Sequence, residues 1–250
     1  MERVAVITGG SSGIGAALAR RLAGRGWRCV LVARGADRLE TVALEVSGEA
    51  EVCDVSDREA VEALAARVAG RHPAVKLLVN NAGVPGRAGF LELAPERIEA
   101  VARINYLGSV WSLRAFLPLL EAAAPAAVVN VVSVAGTVSG GPSGPYSAAK
   151  HAQLAFSRGV AAELAPRRIR VHTVNPGLTH TEGFPQDRFL SHPLARHAVV
   201  TAEHVADRIV AALVHDRREV YVPGYYRVAT VLQSLLPGTV TRAASRRPRG

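Results

Sequence analysis

Short apolar runs rich in valine alternate along this chain with longer stretches that are apolar on one face and polar on the other. The runs Val4 to Thr8, Cys29 to Ala33, Glu51 to Cys53, Leu77 to Asn80, Val128 to Ser133, Arg170 to Val174 and Glu219 to Val222 read as strands. Their continuous hydrophobicity is that of strands covered on both faces. Between most of them lie helix-length segments: Gly15 to Arg25, Asp57 to Gly70, Pro95 to Leu120, Pro145 to Ala165 and Ala202 to His215. Such alternation predicts an α/β protein built on a doubly wound parallel sheet of about seven strands, with helices on both faces. No linker or internal repeat divides it, so residues 1–224 are expected to form a single domain.

The pattern changes after residue 224. Val228, Val231, Leu232, Leu235 and Leu236 recur at i, i+3, i+4, i+7 and i+8, which predicts an amphipathic helix stopped by Pro237. A basic tail, Arg242 to Arg249, completes residues 225–250. The helix can pack on its own domain or on a second subunit, or lie on a membrane surface with the arginines near anionic headgroups. A mobile end is the third reading. Packing is the favoured one.

Composition narrows the class. A 250-residue chain that is 49% hydrophobic has ample material for a core. No apolar run approaches the ~20 residues that span a bilayer. The N-terminal segment passes from Val4 into Thr8-Gly9-Gly10 without a secretory leader, so a cytoplasmic protein is expected. Cys29 and Cys53 both lie in apolar runs and read as reduced core thiols. The net charge of +9 is carried almost wholly by arginine, since Lys76 and Lys150 are the only lysines. The arginines form no stripe with interleaved aromatics, so nucleic-acid binding is not expected. A positive field does draw in an anionic cofactor or substrate. The eight histidines are dispersed, and no His, Cys or carboxylate cluster has metal-ligand spacing.

Between the first strand and first helix stands Thr8-Gly9-Gly10-Ser11-Ser12-Gly13-Ile14-Gly15. Glycines there permit a tight turn and let the backbone approach a pyrophosphate at the helix N-terminus. The end of the second strand selects the dinucleotide: an acid bonds a ribose 2′-hydroxyl, whereas an arginine accommodates a 2′-phosphate. This strand ends Val32-Ala33-Arg34, which favours NADP(H) over NAD(H), and Ser12 can add a hydrogen bond. Asp37, the competing acid, reads as a helix cap.

Tyr146 and Lys150 lie one helical turn apart, on one face. A nearby ammonium stabilises a phenolate, and a tyrosine, which normally titrates near ~10, needs such help to exchange protons at neutral pH.

With the glycine loop, this pair makes the chain resemble the short-chain dehydrogenase/reductase family, of Rossmann-type fold, from Val4 to about Val222. Further motifs fall in the family's order: Asp54-Val55, Asn80-Asn81-Ala82-Gly83, Asn105 within Ile104-Asn105-Tyr106-Leu107-Gly108, Ser133 thirteen residues before Tyr146, and Asn175-Pro176-Gly177. The resemblance implies that Gly9, Ser11, Ser12, Gly13, Ile14 and Gly15 hold the phosphates and that Asp54 and Val55 meet the adenine. It implies that Asn81, Ala82 and Gly83 support the cofactor, and that Pro176, Gly177, Leu178, Thr179 and Thr181 meet the nicotinamide or a phosphate. Asn105, Ser133, Tyr146 and Lys150 would be the catalytic set.

Hydride transfer changes the charge on a carbonyl oxygen, so the site needs a proton partner and hydrogen-bond donors there. Tyr146 would serve as acid or base, Ser133 would hold the substrate oxygen, and Lys150 would lower the tyrosine's pKa and bond the ribose. By resemblance, Asn105 would hold a kinked helix and a water. Blander roles stay open: Ser133 as a cap of the next segment, Asn105 as a satisfied helix polar group, Asp54 as a cap of the helix near Asp57. His151 reads as a helix-surface residue. The substrate is expected to be a mainly apolar ketone or secondary alcohol, lined by Val84 to Leu93, Val134 to Pro145 and a lid at about 178–200. Arg87, Arg188 and Arg196 read as surface arginines, not anion ligands. A homodimer or homotetramer is expected from the family. Alternatives of another class are a binding sensor or scaffold without turnover, and imine reduction or epimerisation on the same site.

Overall fold

The computed structural model describes residues 2–86, 88–139, 144–191, 195–239 and 242. Arg87, residues 140–143 of the glycine-rich stretch, Pro193 and the tail beyond Arg242 lie outside the described residues, as does the side chain of Arg188. Seven strands, β1 (Val4–Thr8), β2 (Arg28–Ala33), β3 (Glu49–Val52), β4 (Leu77–Asn80), β5 (Ala126–Val131), β6 (Ile169–Pro176) and β7 (Glu219–Val222), form one sheet in the order β3-β2-β1-β4-β5-β6-β7. Every pairing is parallel. The connections run outward in both directions from β1 and β4, so the loops that follow these two strands diverge and open a crevice at their carboxyl ends.

The helices are α1 (Gly13–Ala23), α2 (Ala36–Glu45), α3 (Arg58–Ala69), α4 (Pro95–Ala102), α5 (Gly108–Ala122), α6 (Gly144–Leu164), the short α7 (Asp187–Leu190), α8 (Ala202–Val214) and α9 (Tyr226–Leu235). Two buried clusters sandwich the sheet: Ala5 and Ile7 of β1 face Leu18, Leu22 and Ile209, while Val4 and Val6 face Leu64, Phe116 and Leu164. Successive strand residues thus enter opposite cores, which is why the strands read as unbroken apolar runs. Phe116 is fully buried, and truncating it to alanine would cost roughly 3–5 kcal/mol.

Four features refine or differ from the sequence expectation. The segment Pro95 to Leu120 is interrupted by a π-helical turn, Arg103–Leu107, around Asn105, where the resemblance implied a kinked helix. Ala36–Glu45 is a helix that the apolar pattern does not announce, and its N-cap is Gly35; Asp37 lies inside the first turn. β5 stops at Val131, so Ser133 stands two residues beyond it and caps the 3-10 turn Val134–Gly136. The predicted stripe on α9 does not pack on its own domain: Val228, Val231, Leu232, Leu235 and Leu236 are all 48–71% exposed. The inner side of α9 carries the contact instead, with Thr230 Oγ1 donating to Thr137 Oγ1 at 2.9 Å.

Candidate active site

The crevice is an open cleft of about 1290 Å³ running along the carboxyl ends of the strands. Its first wall is the glycine loop. A Cβ on Gly15 would stand 2.1 Å from the Gly9 carbonyl oxygen, and Gly9 itself has φ +67°, so neither position accepts a side chain without strain. Ser12, the N-cap of α1, is extended and makes no side-chain cap bond, and the first turn carries no acid. The helix therefore presents uncapped N–H groups and its positive end to the cleft. Thr8 fastens this loop to the one after β4: its Oγ1 accepts from Asn81 N (3.0 Å) and Ala82 N (3.1 Å) and donates to Val79 O (3.1 Å). Asn81 Nδ2 returns bonds to Thr8 O and Gly9 O.

Beyond the ends of β2 and β3 the cleft is lined by Arg34, Arg38, Cys53, Asp54 and Val55. Arg34 Nη1 lies 3.9 Å from Asp54 Oδ2, and Arg38 pairs with Glu182 of the 178–200 segment. Asp54 accepts from Ser56 N and Oγ, while the N-cap of α3 is Asp57, which accepts from Glu59 N and Ala60 N. Asp54 is thus free of the capping role and faces the cleft. Both cysteines are buried, and burial pushes each thiol up to about 11. They are inert at neutral pH.

At the other end stand Ser133, Tyr146 and Lys150, brought together because β5 and α6 meet there. Ser133 Oγ accepts from Ala135 N at 3.1 Å, so it is a cap as well as a lining residue. Burial beside Phe184, whose ring centroid is 5.6 Å away, pushes Tyr146 up to about 12, against a hydrogen bond from Ser133 that pulls it down. Lys150, expected to lower this value, has its Nζ 5.8 Å from the tyrosine ring centroid, and desolvation is the larger influence. Lys150 is 3% exposed, and burial pulls it down to about 7.

Pro176, Gly177, Leu178, Thr179, Thr181, Phe184 and Phe189 close this end, joined by Tyr226 from α9. A Cβ on Gly177 would meet the Tyr226 ring at 2.1 Å, so glycine there is what lets α9 approach. Thr181 packs on Gly13, placing the start of the 178–200 segment over the glycine loop. Val84, Pro85 and Gly86 also reach the cleft.

Nearly all the residues singled out in the sequence line this one space. Asn105 and Gly15 do not; they stand behind its wall. Asn105 Oδ1 accepts from Val84 N, and Nδ2 donates to Val84 O and, at 2.9 Å, to Val101 O. Its side chain takes the carbonyl that an α-helix would give to its backbone, and this opens the π turn. His151 is a partly buried helix residue whose Nδ1 contacts Ser147 O, and Arg196 is exposed. Thr8, Arg38, Gln153 and Tyr226 were not singled out, although all four touch the site or its supports. Only Thr8, next to the glycine loop, carried a local signal.

Among the described residues no helix is long and apolar enough to cross a membrane, and no group of His, Cys, Asp or Glu could hold a metal ion. Residues 3–188 match the family described as short chain dehydrogenase. A 1-deoxy-11-beta-hydroxypentalenate dehydrogenase of Streptomyces avermitilis is 36% identical over 223 residues, 85% of this chain and 82% of the relative. Among solved structures, a short chain dehydrogenase/reductase of Burkholderia phymatum in complex with NAD shares the fold at TM-score 0.85 and 25% identity, over 96% of this chain and 95% of that one. One of Burkholderia cenocepacia in complex with NADP gives TM-score 0.83 at 29% identity, over 99% and 98%. A match across most of the chain, with relatives aligned along most of their own length, leaves one conclusion: this chain belongs to the short chain dehydrogenase family and is an oxidoreductase.

Proposed function

We propose that this protein is an NADP(H)-dependent oxidoreductase interconverting a ketone and a secondary alcohol. The observation that carries the reading is the shared cleft: an uncapped helix N-terminus and two arginines at one end, and Ser133, Tyr146 and Lys150 at the other. The residues present fit a dinucleotide, because the glycine cradle accepts no Cβ, and Arg34 and Arg38, which line the same cleft, would hold a 2′-phosphate. When bound, the nicotinamide supplies or accepts the hydride.

The chain's own residues handle the proton. Ser133 Oγ orients the carbonyl oxygen. Tyr146, held at about 12, is fully protonated at neutral pH and gives its proton to that oxygen as charge develops there. In the reverse direction the phenolate must form, and the Lys150 ammonium, 5.8 Å from the tyrosine ring centroid, would support it. Phe184, Phe189, Leu178 and Tyr226 make the substrate end mainly apolar, which supports an apolar carbonyl compound. The test is oxidation of NADPH over a panel of apolar ketones. Turnover with at least one is expected; tight NADPH binding with no turnover across the panel would instead indicate a non-catalytic binder.

A further inference from the structure

We propose that Gln153 is a positioning residue for Lys150, holding its ammonium at the wall of the cleft through a buried polar chain that runs to Ser109 on α5. The proposal rests on the reading of Lys150 as the group that bonds the ribose and supports Tyr146. Lys150 Nζ donates to Val131 O at 3.0 Å and to Gln153 Oε1 at 2.8 Å. Gln153 Nε2 donates in turn to Ser109 Oγ at 2.8 Å. Lys150, Gln153 and Ser109 are respectively 3%, 0% and 5% exposed.

An ammonium has three hydrogens. Two are spent on these acceptors, leaving one for the cleft that Lys150 lines. The amide of Gln153 can lie only one way round, because reversing it would set an NH₂ against the ammonium and leave Ser109 Oγ without its donor. Tyr146, Lys150 and Gln153 stand at i, i+4 and i+7 of α6, so the chain continues the face that carries the chemistry.

A glutamine with no exposed surface is costly unless both ends of its amide are bonded, and an apolar side chain would fill this place without that demand. Its use here follows from what it touches. Among the described residues no carboxylate pairs with Lys150, and burial is the cause of its lowered pKa. β5 and the turn Val134–Gly136 contribute no titratable side chain; the π turn carries Arg103 and Tyr106, and α6 itself carries Tyr146, His151, Arg158 and Glu163. The carbonyls of Val131 and Gln153 are therefore the groups that keep the ammonium both charged and aimed.

Two lysines in the whole chain make the test direct. Protein labelled with ¹³C-lysine gives one signal for Lys150 and one for Lys76, which serves as an internal reference. In the cofactor-free protein, Gln153→Leu should lower the Lys150 midpoint by about one pH unit, and Gln153→Glu should raise it. If Gln153→Leu does not fold, Ser109→Ala, which frees only the far end of the amide, should give a smaller shift in the same direction. Gln153→Leu should also weaken NADPH binding by about tenfold. An unmoved Lys150 signal in folded Gln153→Leu would overturn the proposal. Because the titration needs no turnover, a failed ketone panel would count against the function and leave this result standing. A shifted Lys150 with unchanged NADPH affinity would uphold Gln153 and remove the lysine from the ribose.

Discussion

The two ends of the cleft hold their cations in opposite ways. At one end Arg34 and Arg38 are 62% and 70% exposed, and each lies beside an acid from another element, Asp54 and Glu182. At the other end Lys150 is 3% exposed, and its hydrogen-bond partners among the described residues are neutral oxygens. An exposed guanidinium is cheap to keep, always charged and screened by salt, so its use is recognition. A buried ammonium is expensive, titrates near neutrality and is held in one geometry, so its use is chemistry. The comparison predicts that substitutions at the two ends fail differently.

Of the substitutions that separate the two ends, Lys150→Met should have the largest effect, lowering kcat by at least ~10²-fold while stabilising the fold. Burial brings the Lys150 pKa to about 7 from its ordinary value of 10.5. Below pH 7 the folded state carries the whole penalty of a buried charge; the penalty fades as pH rises from 7 toward 10.5. The variant should therefore gain several kcal/mol at pH 6 and nothing near pH 10.5, as thermal melts at the two values would show. For the same reason ketone reduction by the wild-type protein should fall as pH rises through and above about 7, with the bound dinucleotide's negative charge moving the midpoint upward.

Next comes Arg34→Ala. It should raise the NADPH dissociation constant by about 10–100-fold and that of NADH by less than about threefold, measured by fluorescence titration, with the difference shrinking at high salt. Equal loss for both would blur the distinction between the two ends. The smallest effect belongs to Glu182→Gln, which removes the partner of Arg38. An exposed pair is worth at most about 1 kcal/mol, so the melting temperature should barely move and NADPH affinity should change by no more than a few-fold.

What the sequence disclosed follows the same division. The central strands were legible because they are covered on both faces and so cannot hide their apolar runs, as with Val4 to Ile7 entering two cores. Motif residues supplied by loops at strand ends were legible too, since the glycine loop and Ser133 act where local spacing places them. The break in Pro95 to Leu120 was legible only through the resemblance, because Asn105 makes it by taking the Val101 carbonyl and reaching Val84, twenty-one residues away. Gln153 reads as one more polar residue on a helix until Ser109 is known to lie behind it. Tyr226 joins the cleft only because Gly177 leaves room. The stripe on α9 was visible as a helix, but its exposure depends on packing that no local pattern encodes.

The central claim is that Tyr146 delivers the proton in a carbonyl reduction driven by NADPH. The most direct measurement compares wild type and Tyr146→Phe for NADPH affinity and for NADPH oxidation with the same ketone. The account predicts that affinity stays within about threefold while the rate falls by at least ~10³-fold. Substantial oxidation by the phenylalanine variant would contradict it.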